Sequence, residues 1–292
     1  MNRRRFLRIA GAAPMAFAAP FSIAVPPADR SENLKRLLEW IRRAFAAAPI
    51  ELLSNLPSGR TYGGTDRPDL QRLYWLQNCN LYAQHALKAF DAELAERIRS
   101  SYWRWHKEHF AHCEERTENY LPVGQLPAHP APPGKYWRVV VERKEFDGFT
   151  IGTETQKPGL FGDIREDDPR GLLKFGVLGA ALRGEKDEAQ RRLKQALALW
   201  NGSGFAHTRM DRHRSYYARY LAYALIAERA AGLAIPPDIR AAIEGRLWAL
   251  QDADGGLWTN YDADGAFPDM AKKTTEIAPL TLLAYNDEIW PR

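Results

Sequence analysis

Residues 250–258 read LQDADGGLW, and the tetrapeptide Asp-Ala-Asp-Gly within them returns at residues 262–265. The stretch ends an amphipathic segment, 237–251, whose apolar residues share one helical face: Ile239, Ile243, Leu247 and Leu250. A polar turn with two adjacent glycines after such a face is typical of the end of a helix. The stretch therefore predicts a helix, a tight turn and then a long loop over residues 252–273.

The repeated tetrapeptide is similar to the start of a calcium-binding loop. An EF-hand loop of that kind needs a carboxylate ligand from Glu at position 12. Counted from Asp252, position 12 is Ala263, and counted from Asp262, it is Lys273. Neither copy fits, so the sequence favours two turns of similar sequence over a calcium site.

Most of the remaining chain has the periodicity of amphipathic helices. We predict further helices over residues 31–48, 68–90, 91–110, 168–182, 185–200, 215–232 and 274–286. From residue 168 onward a short link and a longer loop alternate between these helices. This alternation predicts antiparallel helix pairs stacked around an axis, and the alternative is an irregular helical bundle.

One segment departs from this pattern. Five prolines between residues 122 and 133 exclude helix there. Two apolar, β-branched runs then flank Asp147-Gly148, and Asp-Gly between two such runs is a hairpin signal. We therefore predict a small β-hairpin insertion near residues 136–155.

The stretch Gln251–Trp258 resembles the Gln-x-x-Asp-Gly-Gly-x-Trp signature of the α/α-toroid superfamily, which includes terpenoid cyclases and protein prenyltransferase β-subunits. Residues 273–276, Lys-Thr-Thr-Glu, look like the start of the next inner helix of such a toroid. The resemblance covers roughly residues 160–288. It implies an all-α fold, an α/α-toroid or incomplete barrel, forming a single domain over residues 25–292.

The resemblance also bears on function. The chain lacks the Asp-x-Asp-Asp motif of squalene-type cyclases and an obvious zinc set of the prenyltransferases. Inverting glycoside hydrolases, polysaccharide lyases and uronyl epimerases are also toroids. We therefore expect a carbohydrate-active enzyme, a glycoside hydrolase or polysaccharide lyase that needs no cofactor and acts on an oligosaccharide or polysaccharide. The alternatives are a non-catalytic periplasmic ligand-binding protein and a terpenoid-handling protein with an aromatic cavity.

Candidate site residues are the acids, phenols and bases of the predicted loops, since such groups transfer protons in sugar chemistry. The predicted acid–base residues are Asp163, Glu166, Asp211, Tyr261 and Glu276. The predicted substrate-binding residues are His207, Arg214, Tyr217 and Asn260, with Trp258 as a stacking platform. The alternative is that these groups are solvated loop residues or helix caps.

Two segments leave a choice open. His106, His109 and Cys113 have the spacing of helical zinc ligands, but the aromatic residues among them favour a packing surface, so we predict no metal. Residues 74–82, YWLQNCNLY, are unusually polar for a helix centre and indicate either a buried polar network or a ligand-facing wall. Cys79 and Cys113 are the two cysteines of the chain, and their pairing stays open.

The first 24 residues have the pattern of an export signal. Arginines at positions 3, 4, 5 and 8 precede a short apolar run with small residues near its end, and the paired arginines resemble a twin-arginine signal. We therefore expect export by the twin-arginine machinery to the periplasm or the exterior. Without these four arginines the net charge falls from +5 to 5 − 4 = +1. No basic stripe with interleaved aromatics remains, so a nucleic-acid partner is not expected.

Overall fold

The computed structural model describes residues 29–113, 117–127, 137–158, 168–206 and 215–290. Its α-helices are α1 (Arg30–Ala46), α2 (Pro68–Gln71), α3 (Leu81–Ala86), α4 (Ala92–His109), α5 (Gly179–Leu182), α6 (Lys186–Leu197), α7 (Ala218–Ala231), α8 (Pro237–Ala249) and α9 (Ile277–Ala284). A first π-helix (Leu76–Asn80) leads into α3, which continues as a 3-10 turn (Leu87–Ala89), and a second π-helix (Arg170–Leu178) leads into α5. A 3-10 helix covers Glu118–Val123. Its strands are β1 (Leu73–Trp75), β2 (Trp137–Phe146), β3 (Phe149–Pro158), β4 (Tyr216–Tyr217) and β5 (Asn260–Tyr261).

Four helical elements form the centre of the molecule: α3, the second π-helix with α5, α7 and α9. Helix α9 contacts both α3 and α7, and α7 contacts the second π-helix. The 3-10 helix Glu118–Val123 lies between the second π-helix and α3. Every residue of α9 is buried, because its sequence is apolar on all sides.

A second layer of helices covers this centre. Helix α4 packs on α3, α6 on the second π-helix, α8 on α7 and α1 on α9. The covering helices α1, α4 and α6 are amphipathic, so each buries one face and exposes the other. None of the helices in the described residues is both long and apolar enough to span a membrane.

The prediction of an all-α fold, an α/α-toroid, is wrong. The structure is 53% helix and 13% strand, with a three-stranded mixed sheet in the order β1-β3-β2 and a two-stranded sheet of β4 and β5. The predicted hairpin is confirmed, since β2 and β3 pair antiparallel around Asp147-Gly148. It is not a separate insertion, however, because β3 also pairs in parallel with β1.

Strand β1 also corrects the helix predicted over residues 68–90. Leu73 pairs with Thr150 and Trp75 pairs with Gly152, so the chain is extended there before it turns into the first π-helix. Apolar residues three apart satisfy a helical pattern, but the partner strand supplies hydrogen bonds that compete with the helix. The segment around Pro122 is a second correction, because it forms a 3-10 helix where helix had been excluded.

The two Asp-Ala-Asp-Gly copies form the same turn. In both, the first Asp accepts a hydrogen bond at its carbonyl from the Gly three residues later, Gly255 or Gly265. In both, the second Asp accepts at its side chain from the backbone N–H two residues later. The glycines have φ of +90° and +91°, a region that L side chains rarely adopt. The repeat is therefore a repeated turn, and Lys273 donates to Asp252 and Asp254 of the first copy.

Candidate active site

A group of charged and phenolic side chains lies at the centre of the molecule, between the inner helices. We call it the central cluster and define it by the residues Tyr82, Glu118, Asn119, Glu154, Arg170, Lys174, Arg219, Tyr223 and Glu276. Tyr82, Glu118 and Lys174 are at most 1% exposed. Charged side chains are almost never buried to this degree without partners, so the contacts of the cluster decide what it can do.

Asn119 connects the buried part of the cluster. Its side-chain oxygen accepts hydrogen bonds from Lys174 Nζ at 2.6 Å and from the Tyr82 hydroxyl at 3.3 Å. Its side-chain nitrogen donates to a carboxylate oxygen of Glu154. One amide therefore holds a lysine, a phenol and a carboxylate in fixed positions relative to one another.

Glu118 supplies a second buried carboxylate beside Asn119. Its Oε1 accepts from Arg170 at 3.4 Å, whereas its buried Oε2 has no hydrogen-bond partner among the described residues. A buried carboxylate oxygen without a donor is costly. This oxygen is a free acceptor for a hydroxyl or for water.

The rim of the cluster is less buried than its floor. The Arg170 side chain is 35% exposed, and Arg219 and Glu276, which lie 3.8 Å apart, are 31% and 22% exposed. The Arg219 guanidinium also lies 4.8 Å from the ring centre of Tyr217. Exposure therefore increases from Glu118 to these charged side chains, which gives the cluster an open side.

Burial changes the proton affinities of the cluster. It raises the pKa of Glu154, and the negative charge of Glu118 raises it further. Burial lowers the pKa of Lys174 to about 8, assisted by Arg170 and opposed by the carboxylates of the cluster. Burial likewise raises the pKa of the Tyr82 and Tyr223 hydroxyls. Glu154 therefore holds its proton more tightly than an ordinary carboxyl, and Lys174 less tightly than an ordinary amine.

The cluster lies at the N-terminal ends of the inner helices. Arg170 and Lys174 are in the first half of the second π-helix, Arg219 is the second residue of α7, and Glu276 caps α9. Peptide dipoles leave a partial positive charge at a helix N-terminus, which favours carboxylates there. Two of the helices concerned begin as π-helices, a form that is frequent at functional sites.

Two of the site residues predicted from the sequence lie at this cluster. Glu276 contacts Arg219, and its charge acts on Tyr82, Tyr223 and Lys174. Tyr217 borders the rim through its contact with Arg219. The structure thus brings together one predicted acid and one predicted binding residue.

Tyr261 and Asn260 lie elsewhere, in the small sheet of β4 and β5. The Tyr261 ring is fully buried and stacks on Tyr216 at 5.4 Å between ring centres. Burial raises the pKa of its hydroxyl, which makes the neutral phenol its stable form. Asn260 accepts a hydrogen bond from the Thr259 hydroxyl at 2.8 Å. These contacts join both residues to the small sheet rather than to the central cluster, so we leave both out of the candidate site.

Trp258 does not offer an open ring face. It is 7% exposed, because three side chains pack around it. The ring centres of Tyr62 and Phe267 lie 5.2 and 5.5 Å from that of Trp258, and Lys273 Nζ lies 4.9 Å from it. A sugar would have to displace these side chains before it stacked on the indole. The predicted stacking platform is instead part of the packing that supports the repeated turns.

The other predicted site residues lie outside the described part of the chain. They are Asp163, Glu166, His207, Asp211 and Arg214.

The polar segment of residues 74–82 belongs to a buried polar network, one of the two roles between which the sequence left a choice. Asn80 is fully buried and its side chain binds the backbone of Leu53 and Trp75, which is a structural role. Gln77 accepts from the Thr153 hydroxyl and the Glu154 backbone at 2.8 Å each, and so positions strand β3. Tyr82, by contrast, belongs to the central cluster.

Sequence reasoning missed Glu118, Glu154 and Lys174. Lys174 stands alone in the apolar run Leu172–Val177, and a single charge in such a run is a signal of a buried, partnered group. Glu154 has no such signal, because its neighbours Thr153, Thr155 and Gln156 are polar. Glu118 has no comparable signal, because the segment around it has no clear periodicity.

Two cavities in the described residues lie away from the central cluster. One of about 200 Å³ is lined by side chains that include His85, Lys88 and Trp103, and burial lowers the pKa of His85 to about 4. A shallower groove of about 610 Å³ lies beside the hairpin turn. Neither gathers two carboxylates with a buried cation, so the central cluster is the stronger candidate for chemistry.

The metal ligands weighed from the sequence do not form one set. His106 is buried and stacks on Tyr102, whereas the His109 ring packs against Trp105 and Phe146. Cys79 and Cys113 are not joined by a disulfide.

Comparison with known proteins gives no match to a family model, to a curated protein or to a solved structure.

Proposed function

We propose that this protein is an exported enzyme that cleaves the glycosidic bonds of an oligosaccharide or polysaccharide by acid–base chemistry at the central cluster. The observation that carries the proposal is the pair of carboxylates Glu118 and Glu154. Glu154 accepts a hydrogen bond from Asn119, Glu118 accepts one from Arg170, and the charge of Glu118 raises the pKa of Glu154. Glycosidic cleavage commonly uses two carboxylates in different protonation states.

Glu154 is the proposed general acid. Its raised pKa keeps a proton available for the leaving-group oxygen. Glu118 is the proposed partner, because its Oε2 is free to accept a proton from water or to face the developing positive charge of the sugar. Lys174 is a positioning residue, since it donates to Asn119 and neutralises charge between the carboxylates.

The composition of the cluster supports this function over the two alternatives. A terpenoid-handling site needs aromatic walls, whereas the central cluster contains three carboxylates and three cations. Carboxyls with raised pKa values are concentrated at catalytic sites, where an acid catalyst uses the retained proton, which favours an enzyme over a binding protein. Tyr217, at the rim, offers an aromatic ring beside the charged groups.

A screen of neutral and acidic polysaccharides tests the proposal, with new reducing ends as the measurement. Unsaturated products would absorb in the ultraviolet and would separate lyase cleavage from hydrolysis. We expect Glu154→Gln and Glu118→Gln each to lower kcat by about 10²–10⁴-fold, the usual contribution of a general acid or base. Glu145→Gln, an exposed glutamate on β2, is the matched control and should leave turnover unchanged.

Activity that survives in both cluster variants would remove the central cluster from the mechanism. Circular dichroism and thermal melting of each variant separate loss of chemistry from loss of fold. Absence of turnover on every polysaccharide, with folded protein, would count against the carbohydrate class itself.

A further inference from the structure

A second group of side chains lies where the turn after α4 meets strand β2. His112, Cys113 and Glu142 each present a ligand atom, and these three atoms lie within 4.8 Å of one another. His112 Nε2 and a carboxylate oxygen of Glu142 are 2.7 Å apart. The residues come from two elements 30 positions apart in the chain, so the sequence alone did not join them.

The turn is fixed on the strand by a second contact. Lys144 Nζ donates to the carbonyl of His109 at 2.5 Å and lies 5.3 Å from the ring centre of Phe110. Glu142 and Lys144 are two residues apart on β2 and therefore point to the same face. The backbone positions of the three ligand-type residues are thus set by the fold.

We propose that His112, Cys113 and Glu142 form a zinc-binding site with one coordination position left for water. Imidazole, thiolate and carboxylate are the ligands that zinc takes in proteins. With zinc–ligand distances of about 2.0–2.3 Å, tetrahedral ligand atoms lie roughly 3.3–3.6 Å apart. The His112–Glu142 pair has to open by less than about 1 Å from its 2.7 Å contact, and the thiol has to approach.

The exposures of the three residues fit this coordination. Cys113 is 4% exposed and the His112 side chain is 59% exposed, with Glu142 between them at 29%. The thiol forms the protected side of the site, while the imidazole is free to reorient toward an ion. Water reaches the ion from the His112 side, which leaves three protein ligands and one solvent ligand.

Zinc binding by this site requires the thiolate, so the Cys113 proton is released to solvent when the ion binds. Affinity therefore rises with pH until the thiol is ionised. A site formed by the Glu142 carboxylate and the His112 imidazole alone, without the thiol, would not release a proton from sulfur when the ion binds.

Metal titration of the purified chain tests the site without any activity assay. Zinc content after gel filtration should be one ion per chain, and cobalt should produce thiolate-to-metal charge-transfer absorption. Cys113→Ser should abolish that absorption, and His112→Ala and Glu142→Gln should each weaken zinc binding at least about tenfold, the size expected for a change at a metal ligand.

Cys79→Ala is the matched control, because Cys79 is buried away from the turn with its thiol near Asn55. This variant should retain zinc and the cobalt absorption. Absence of zinc from the wild-type chain, or equal retention by Cys113→Ser, would overturn the proposal. Neither result bears on the polysaccharide assay, so the two proposals stand or fall separately.

Discussion

Replacement of Lys174 by methionine tests how the central cluster is held together. The side chain is 1% exposed, and its ammonium group donates to Asn119 and lies among the carboxylates of Glu118, Glu154 and Glu276. Methionine keeps most of the volume and removes the charge. The Lys174→Met change therefore isolates the electrostatic contribution.

The magnitude follows from the lysine pKa. Burial and its neighbours lower it from 10.5 to about 8. Since one pKa unit corresponds to about 1.4 kcal/mol, the charged amine is disfavoured in the folded state by roughly 3 kcal/mol. This cost already includes the attraction of the carboxylates. Removing one partner of a buried ion pair leaves the other charge without compensation and destabilises a protein by about 3–5 kcal/mol.

The cost of burying the charged amine and the loss caused by removing it depend on pH in opposite directions. At about pH 7 the variant loses the buried cation that offsets the carboxyl groups of the cluster, so we expect it to be about 3–5 kcal/mol less stable than the wild type. At about pH 4 Glu154 is protonated to a greater extent than an ordinary carboxyl, because burial raises its pKa, and the wild type then keeps a buried amine with fewer charged partners. There the variant should be equally stable or more stable.

The change of stability with pH that Glu154 contributes has the direction that this expectation requires. A carboxyl whose folded-state pKa is raised contributes stability below its ordinary pKa and loses it as the pH rises through the folded value. Without Lys174 that pKa rises further, so the stability of the variant should fall more steeply between acidic and neutral pH.

Urea unfolding of both proteins at the two pH values is the assay. Lys194→Met is the control, because Lys194 is exposed on α6, which packs against the helix that carries Lys174. It should have little effect at either pH. A Lys174→Met destabilisation of equal size at both pH values would refute the electrostatic reasoning and leave only a packing effect.

Two further predictions concern the scaffold. Gly255→Ala should destabilise the protein by at least about 1 kcal/mol more than Gly148→Ala. Both glycines have positive φ, but only at Gly255 would a Cβ lie 2.3 Å from the Arg36 carbonyl oxygen. Equal midpoints of urea unfolding for the two variants would contradict this. Asn80→Ala should cost about 2–4 kcal/mol, because it leaves the buried backbone groups of Leu53 and Trp75 without their partner; an unchanged midpoint would show that Asn80 is not structural.

Helices determined by local spacing could be predicted from the sequence. Those predicted over residues 185–200, 215–232 and 237–251 contain α6, α7 and α8, because apolar residues three and four apart lie on one helical face wherever the rest of the chain is. Strand β1 could not be predicted in this way. Its extended form depends on hydrogen bonds to β3, more than 70 residues later in the chain.

The same difference between local and distant information applies to the site. Glu276 is a candidate from the sequence because it is an acid that follows the opening motif, although a helix cap is the alternative interpretation. Glu118 and Glu154 were not, because what makes them unusual is their common contact region around Asn119, which arises only when the hairpin and the 3-10 helix pack together. Lys174 could have been recognised from the sequence as a buried charge, because it is the one charged residue in an apolar run, but its partners could not.

The order in which the cluster residues occur along the chain has a consequence for biosynthesis. They extend from Tyr82 to Glu276, and Glu276 immediately precedes α9, the last helix described. A nascent chain cannot complete the cluster until this helix has left the ribosome and docked against α3 and α7. The cluster therefore forms only once segments spread from Tyr82 to Glu276 have packed together, so it depends on distant parts of the chain rather than on one local motif.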